Sequence, residues 1–131
     1  MPLPARRPSL PRPFPVLLLA LLAAGCGSPE PHPVHVAGGD AQRGRELIER
    51  YGCVACHSIP GLASYGANVG PPLVSLSQRG YLAGVLPNTP EDMVRWLRDP
   101  PGVDPRTAMP NLGVSQDEAL DIAAYLYSQH R

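Results

Sequence analysis

The residues of this chain whose types and spacing could do chemistry are Cys53-Val54-Ala55-Cys56-His57. Two thiols and an imidazole in the order Cys-x-x-Cys-His read as a c-type haem attachment site. On a helical turn, side chains three and four positions apart share a face, so Cys53, Cys56 and His57 can all reach one side of the backbone. The two thiols would be consumed as thioethers to the porphyrin, and His57 would coordinate the iron as the proximal axial ligand. A thioredoxin-like Cys-x-x-Cys needs a strand-to-helix setting, and a structural zinc site needs a fourth ligand. Neither context is visible: His32 and His35 sit in a Pro-rich stretch, and His130 is the penultimate residue.

A haem needs elements to carry the motif and walls to cover the ring. Asp40 can cap a helix whose apolar positions are Leu47, Ile48 and Tyr51. Gly44 within it lowers helix propensity by about 1 kcal/mol relative to Ala, which points to close approach of another helix. Gly52 breaks the pattern just before the motif. From Ser58 to Asn88 the chain is rich in Pro, Gly, Ser and Asn without a sustained amphipathic period, and reads as loop. Arg79, Tyr81 and Asn88 are donors there, suited either to haem propionates or to surface solvation.

Thr89-Pro90-Glu91-Asp92 opens a second helix, with Thr89 as N-cap, Pro90 at the first position and acids in the first turn. Its inward stripe is Met93, Trp96 and Leu97, and Asp99-Pro100-Pro101 ends it. The Trp96 indole N–H can serve a propionate or simply belong to a large core residue. Ser115-Gln116-Asp117-Glu118 is a capping box opening a closing helix through about Gln129. Ile122 and Tyr125 are placed to cross the Gly44 and Ile48 face of the first helix.

At the N-terminus, Arg6, Arg7 and Arg12 precede the apolar run Phe14 to Ala24, then Gly25 and Cys26. A basic start, a short apolar run and small residues make an export signal over residues 1–25, too short to span a bilayer as a helix. Leu22-Ala23-Ala24-Gly25-Cys26 resembles the lipobox of bacterial lipoproteins, which implies acylation at Cys26, although Ala23 stands where that family usually has Leu. Cys26 is otherwise a leftover free thiol behind an ordinary signal. Residues 26–39, with Pro29, Pro31, Pro33 and a Gly-Gly end, read as a flexible tether from lipid to a domain at 40–131. The expected location is outside the cytoplasm, anchored to a membrane and facing the periplasm or cell exterior.

Without its first 25 residues the chain has eight Arg and no Lys against eleven Asp plus Glu, a net charge of −3. That excludes a basic nucleic-acid-binding surface. Its aromatics are then Trp96 and five Tyr, a thin supply for a small core that often needs a metal or other staple.

Further along, Gly70-Pro71-Pro72-Leu73 resembles the Gly-Pro-x-Leu segment of class I cytochromes c, where the Pro carbonyl accepts a hydrogen bond from the proximal His. Thr107-Ala108-Met109-Pro110-Asn111-Leu112 resembles their Met-Pro ligand segment. The resemblance extends from the haem motif to the closing helix, and its second half is most similar to the domains fused to subunit two of haem-copper oxidases. It implies an all-α fold of three main helices and loops wrapped around one covalently attached haem c. The iron ligands it implies are His57 and Met109, with Met93 the rival for the second position, and Pro71 orienting His57. Such proteins pass single electrons between redox-protein partners and take no small-molecule substrate. A haem subunit of a larger oxidoreductase, and a redox or gas sensor releasing Met109, are the alternatives; a peroxidase-type catalyst lacks distal acid/base residues here. The chain also lacks the Lys-rich face of mitochondrial-type cytochromes, which favours an apolar partner contact.

Overall fold

In the computed structural model, residues 34–64 and 69–129 are described. The expected signal peptide, Cys26 and the tether through residue 33 lie outside the described residues. Helix α1 covers Ala41–Arg50 because Asp40, in extended backbone, turns its carboxylate onto the first free amides: Oδ1 accepts from Gln42 N at 2.9 Å and Arg43 N at 3.0 Å. The helix ends ahead of Gly52, which adopts φ +69°, a left-handed conformation that Gly takes without a Cβ penalty. That reversal delivers the chain into a 3₁₀ turn at Cys53–Ala55.

The region expected to be only loop contains more order than its composition suggested. A second 3₁₀ turn spans Leu76–Gln78, followed by strands β1 (Tyr81–Leu82) and β2 (Leu86–Pro87), paired antiparallel with Tyr81 opposite Pro87 and Leu82 opposite Leu86. Ala83 and Gly84, at φ 49° and 75°, turn the hairpin. The described residues thus form a helix-rich fold with a small two-stranded sheet, roughly compatible with the all-α expectation. Strands of two residues are too short to impose a readable alternation, yet Leu82 and Leu86 point inward and are buried while Tyr81 is 68% exposed.

Helix α2 (Pro90–Arg98) is capped by Thr89, whose Oγ1 accepts from Asp92 N at 3.1 Å. Its buried stripe is Met93, Val94 and Leu97, with Trp96 half-buried at the edge. Asp99-Pro100-Pro101 ends α2 as expected and also begins the short helix α3 (Pro100–Val103), because the Asp99 side chain accepts from Gly102 N at 3.2 Å. Helix α4 (Gln116–Ser128) starts in a complete capping box between Ser115 and Glu118. No helix among the described residues is long and apolar enough to cross a membrane.

The core is organised on the crossing of α1 and α4. A Cβ built on Gly44 would collide with the carbonyl oxygen of Asp121 and come within 3.0 Å of Ile122 N, so the two backbones touch where only Gly fits. Ile48 and Ile122, each 1% exposed, flank the crossing, and burying such side chains contributes roughly 1.5–3 kcal/mol each. Asp121 is 6% exposed and is fully engaged: it accepts from Asp40 N at 2.7 Å, Arg43 Nε at 2.8 Å and Arg43 Nη2 at 2.9 Å. The Arg43 hydrogen bonds hold the Asp121 carboxyl below the usual carboxylate range despite burial. The packed region reaches back past Asp40 into the expected tether: Val36 is 3% exposed, and Gly39 lies so close to α4 that a Cβ there would sit 2.9 Å from Ala124 Cβ.

Candidate haem centre

The Cys-x-x-Cys-His turn is held by its own backbone. Cys53 carbonyl accepts from Cys56 N at 3.2 Å and from His57 N at 2.9 Å, which closes one tight turn and places the three side chains within it. Both thiols are free and half-buried. Burial pushes the Cys53 thiol above its ordinary range, because a thiolate there would be poorly solvated. Tyr51, two residues ahead, donates to Glu118 Oε2 at 2.8 Å and so ties the approach to the turn onto the start of α4.

Opposite the turn lies Gly70–Leu73. Gly70 N donates to the Cys56 carbonyl and Leu73 N to the Ser58 carbonyl, both at 2.8 Å. His57 Nδ1 lies 2.8 Å from the Pro71 carbonyl oxygen. A carbonyl can only accept, so Nδ1 is the donor, and Nε2 is the nitrogen whose lone pair a neutral ring would offer to a metal. A Cβ on Gly70 would meet the imidazole, at 2.6 Å from Nδ1 and 2.9 Å from Nε2. The ring thus lies flush on bare backbone, a constraint that sequence reading missed and that only the Gly preceding Pro71 could have signalled. Nε2 on an oriented ring and two unpaired thiols on the preceding turn, with half-buried Val54 within the motif and half-buried Leu73 on the facing segment, are a donor set that fits a covalently held haem.

The remaining expected site residues divide. Met109 is half-buried against the core, with its N–H donating to Thr107 Oγ1 at 3.1 Å, while Met93 is 3% exposed inside the core on α2. Trp96 packs partly against the core. Arg79 turns its Nη2 onto the Pro72 and Val74 carbonyls. Tyr81 projects from the hairpin. Asn88 is fully occupied inside the protein: Nδ2 donates to the Leu76 and Arg79 carbonyls at 2.7 Å each, and Oδ1 accepts from Tyr127 OH at 2.6 Å. Its amide is therefore not free for a propionate.

Among the described residues no group of three or more His, Cys, Asp and Glu side chains is clustered to hold a metal ion. A cleft of about 680 Å³ lies elsewhere, lined in part by Val36, Val94, Arg95, Arg98 and Val114. None of the residues discussed above as haem ligands borders it.

No family model matches the chain. Curated proteins do. Over 89 residues the chain is 32% identical to cytochrome c oxidase subunit 2 of Alkalihalophilus pseudofirmus (strain OF4), covering 67% of this chain and 25% of that protein. The protein of the same name from Bacillus subtilis (strain 168) is 30% identical over 86 residues, covering 61% and 24%. That from Bacillus sp. (strain PS3) is 32% identical over 87 residues, covering 63% and 24%. The chain thus spans about a quarter of the length of these relatives, and what it shares with each is similarity to part of an oxidase subunit.

Proposed function

We propose that the chain is a monohaem c-type cytochrome that transfers single electrons at a membrane surface, from a quinol-oxidising complex or dehydrogenase to a terminal oxidase or reductase. The observation that carries the reading is His57 Nδ1 on the Pro71 carbonyl, above Gly70, in the turn that also holds Cys53 and Cys56. When bound, haem c supplies one iron that cycles between ferric and ferrous. Cys53 and Cys56 would tether it through thioethers, His57 Nε2 and Met109 Sδ would ligate its iron, and the Pro71 carbonyl would orient His57 and raise its basicity. Arg79, Tyr81 and Trp96 belong to the surroundings of the group. Met109 as a ligand would raise the reduction potential of the iron, which would suit an electron carrier.

Lipidation at Cys26 would anchor the domain without spanning the bilayer, and two or more acyl chains make such anchoring stable. Exposed Val69 and Val74 flank the segment carrying Pro71, and with no Lys in the sequence they support an apolar contact with redox partners. A second reading, a haem subunit working inside a larger oxidoreductase, is favoured by the similarity to oxidase subunits.

The test is the visible spectrum of protein matured with haem attachment, in both oxidation states and with carbon monoxide. A sharp reduced α-band, a weak far-red sulfur-to-iron band when oxidised and no carbon monoxide shift support the carrier with His57 and Met109 ligands. Absence of covalent haem refutes the reading. Ready carbon monoxide binding replaces it with a sensor or catalyst in which Met109 leaves the iron.

A further inference from the structure

We infer that Arg79 is a positioning residue for His57, braced from the C-terminal helix by Asn88 and Tyr127. The inference rests on the reading of His57 as an iron ligand. It starts from an oddity of the segment that supplies the Pro71 carbonyl: residues 71 and 72 are both Pro and have no N–H, so neither can anchor itself by donating. The flanking amides of Gly70 and Leu73 hold the ends on Cys56 and Ser58. Between and beyond them, both prolines are exposed, and what restrains the segment must come from donors aimed at its carbonyls.

Arg79 supplies them. Its Nη2 donates to the Pro72 carbonyl and, at 3.1 Å, to the Val74 carbonyl. One guanidinium nitrogen thus bridges the peptide next to the one that His57 uses and the peptide two residues further on. Arg79 is in turn fixed by its own backbone. The Arg79 carbonyl and the Leu76 carbonyl each receive one hydrogen of the Asn88 amide, so the 3₁₀ turn at Leu76–Gln78 cannot unwind without stripping both. Asn88 is oriented by Tyr127 OH at 2.6 Å, and Tyr127 has no exposed surface. Both amide hydrogens and the amide oxygen of Asn88 are used, which leaves it no alternative partner without loss.

The hydrogen bonds therefore run without a gap from a buried tyrosine on α4, through Asn88 and the Arg79 backbone, to the carbonyls beside Pro71. Orienting partners of a ligating His set its ring plane and basicity. A Pro71 carbonyl free to swing would shift both, although neither Arg79 nor Tyr127 is hydrogen-bonded to His57.

The test compares Tyr127→Phe, which removes one oxygen and keeps the packing, and Arg79→Lys, which keeps the positive charge and loses the planar fork. In the haem-loaded protein, hydrogen exchange of His57 Nδ1–H is followed by nitrogen-edited NMR, alongside backbone amide exchange in α1 and α4. Each variant should speed Nδ1–H exchange by about fivefold, the factor for loss of one net hydrogen bond, with the amides around Gly44 and Ile122 unchanged. Unchanged Nδ1–H exchange in both variants overturns the brace while leaving the ligand reading intact. Equal acceleration of the core amides overturns it too, as a general loss of stability. A wild-type His57 resonance that shows no influence of the haem overturns the ligand reading itself, and the brace with it.

Discussion

Gly44→Ala sets two well-known effects against each other at one atom. On helix propensity alone the substitution should stabilise α1 by about 1 kcal/mol. At the crossing with α4, however, the new methyl would collide with the Asp121 carbonyl and approach Ile122 N. These are backbone atoms in the middle of a 13-residue helix, and they cannot rotate away as a side chain would. Overpacking of this kind costs about 1–3 kcal/mol, and more where nothing can yield. Taking the upper end for an immovable neighbour and subtracting the propensity gain leaves a net destabilisation of about 2 kcal/mol. For a domain of this size that lowers Tm by roughly 8–16 °C. The assay is thermal unfolding of the haem-loaded protein by far-ultraviolet circular dichroism. Gly80→Ala serves as the control, because nothing lies within 4 Å of a Cβ at that position. A Gly44→Ala protein as stable as the parent, or more so, refutes the contact between the helices.

Acidification should loosen the same crossing. Asp121, held below its ordinary pKa chiefly by the Arg43 hydrogen bond, and Glu118, held down first by Ser115 and then by Tyr51, both have folded values below their unfolded ones. Their contributions are complete above the unfolded carboxylate range and disappear as pH falls through the folded values. Denaturant unfolding should therefore show Asp121→Asn clearly weaker than wild type at pH 7, with the gap closing toward pH 3; a constant gap would mean that the carboxylate charge is irrelevant. At the haem centre, Gly70→Ala should displace the His57 ring from the Pro71 carbonyl, weakening the low-spin spectrum of the loaded protein, whereas Gly80→Ala should leave the spectrum as it is. An unaltered spectrum in Gly70→Ala would refute the cradle.

The helix starts were legible because each carries its own chemistry: Asp40, Thr89 and Ser115 are capping residues whose role depends only on neighbours two or three positions away. The Gly44 crossing was legible for a similar reason, since a Gly inside an amphipathic helix asks for a packing explanation. What escaped were features decided by distant parts of the chain. Asp121 lies among apolar residues on α4, and nothing in its neighbourhood announces that Asp40 N and Arg43, 81 and 78 residues away in the sequence, meet it. Asn88 reads as a loop donor, yet Tyr127 claims its oxygen and two carbonyls its hydrogens. Val36 and Gly39 were assigned to a tether on composition, and only the surface of α4 makes them part of the core. In the Cys-His turn the residue types announced the chemistry, whereas the need for bare backbone under His57 became visible only when Gly70 was seen against the ring.

The contact of Asp121 with residues 40 and 43 also says something about how the chain tolerates change in length. It fastens the two ends of the domain directly, helix to helix, with everything from the Cys-His turn through the hairpin strung between them as a closed loop. The entropy of closing such a loop grows only with the logarithm of its length, about 0.6 kcal/mol for each doubling. Residues added at the exposed hairpin turn, Ala83–Gly84, away from the hydrogen bonds that hold Gly70–Leu73, would be nearly neutral for the union of α1 and α4. This architecture gives evolution a rigid fastening and, between its two halves, a span of chain that can be lengthened or re-shaped around a prosthetic group without reopening the core.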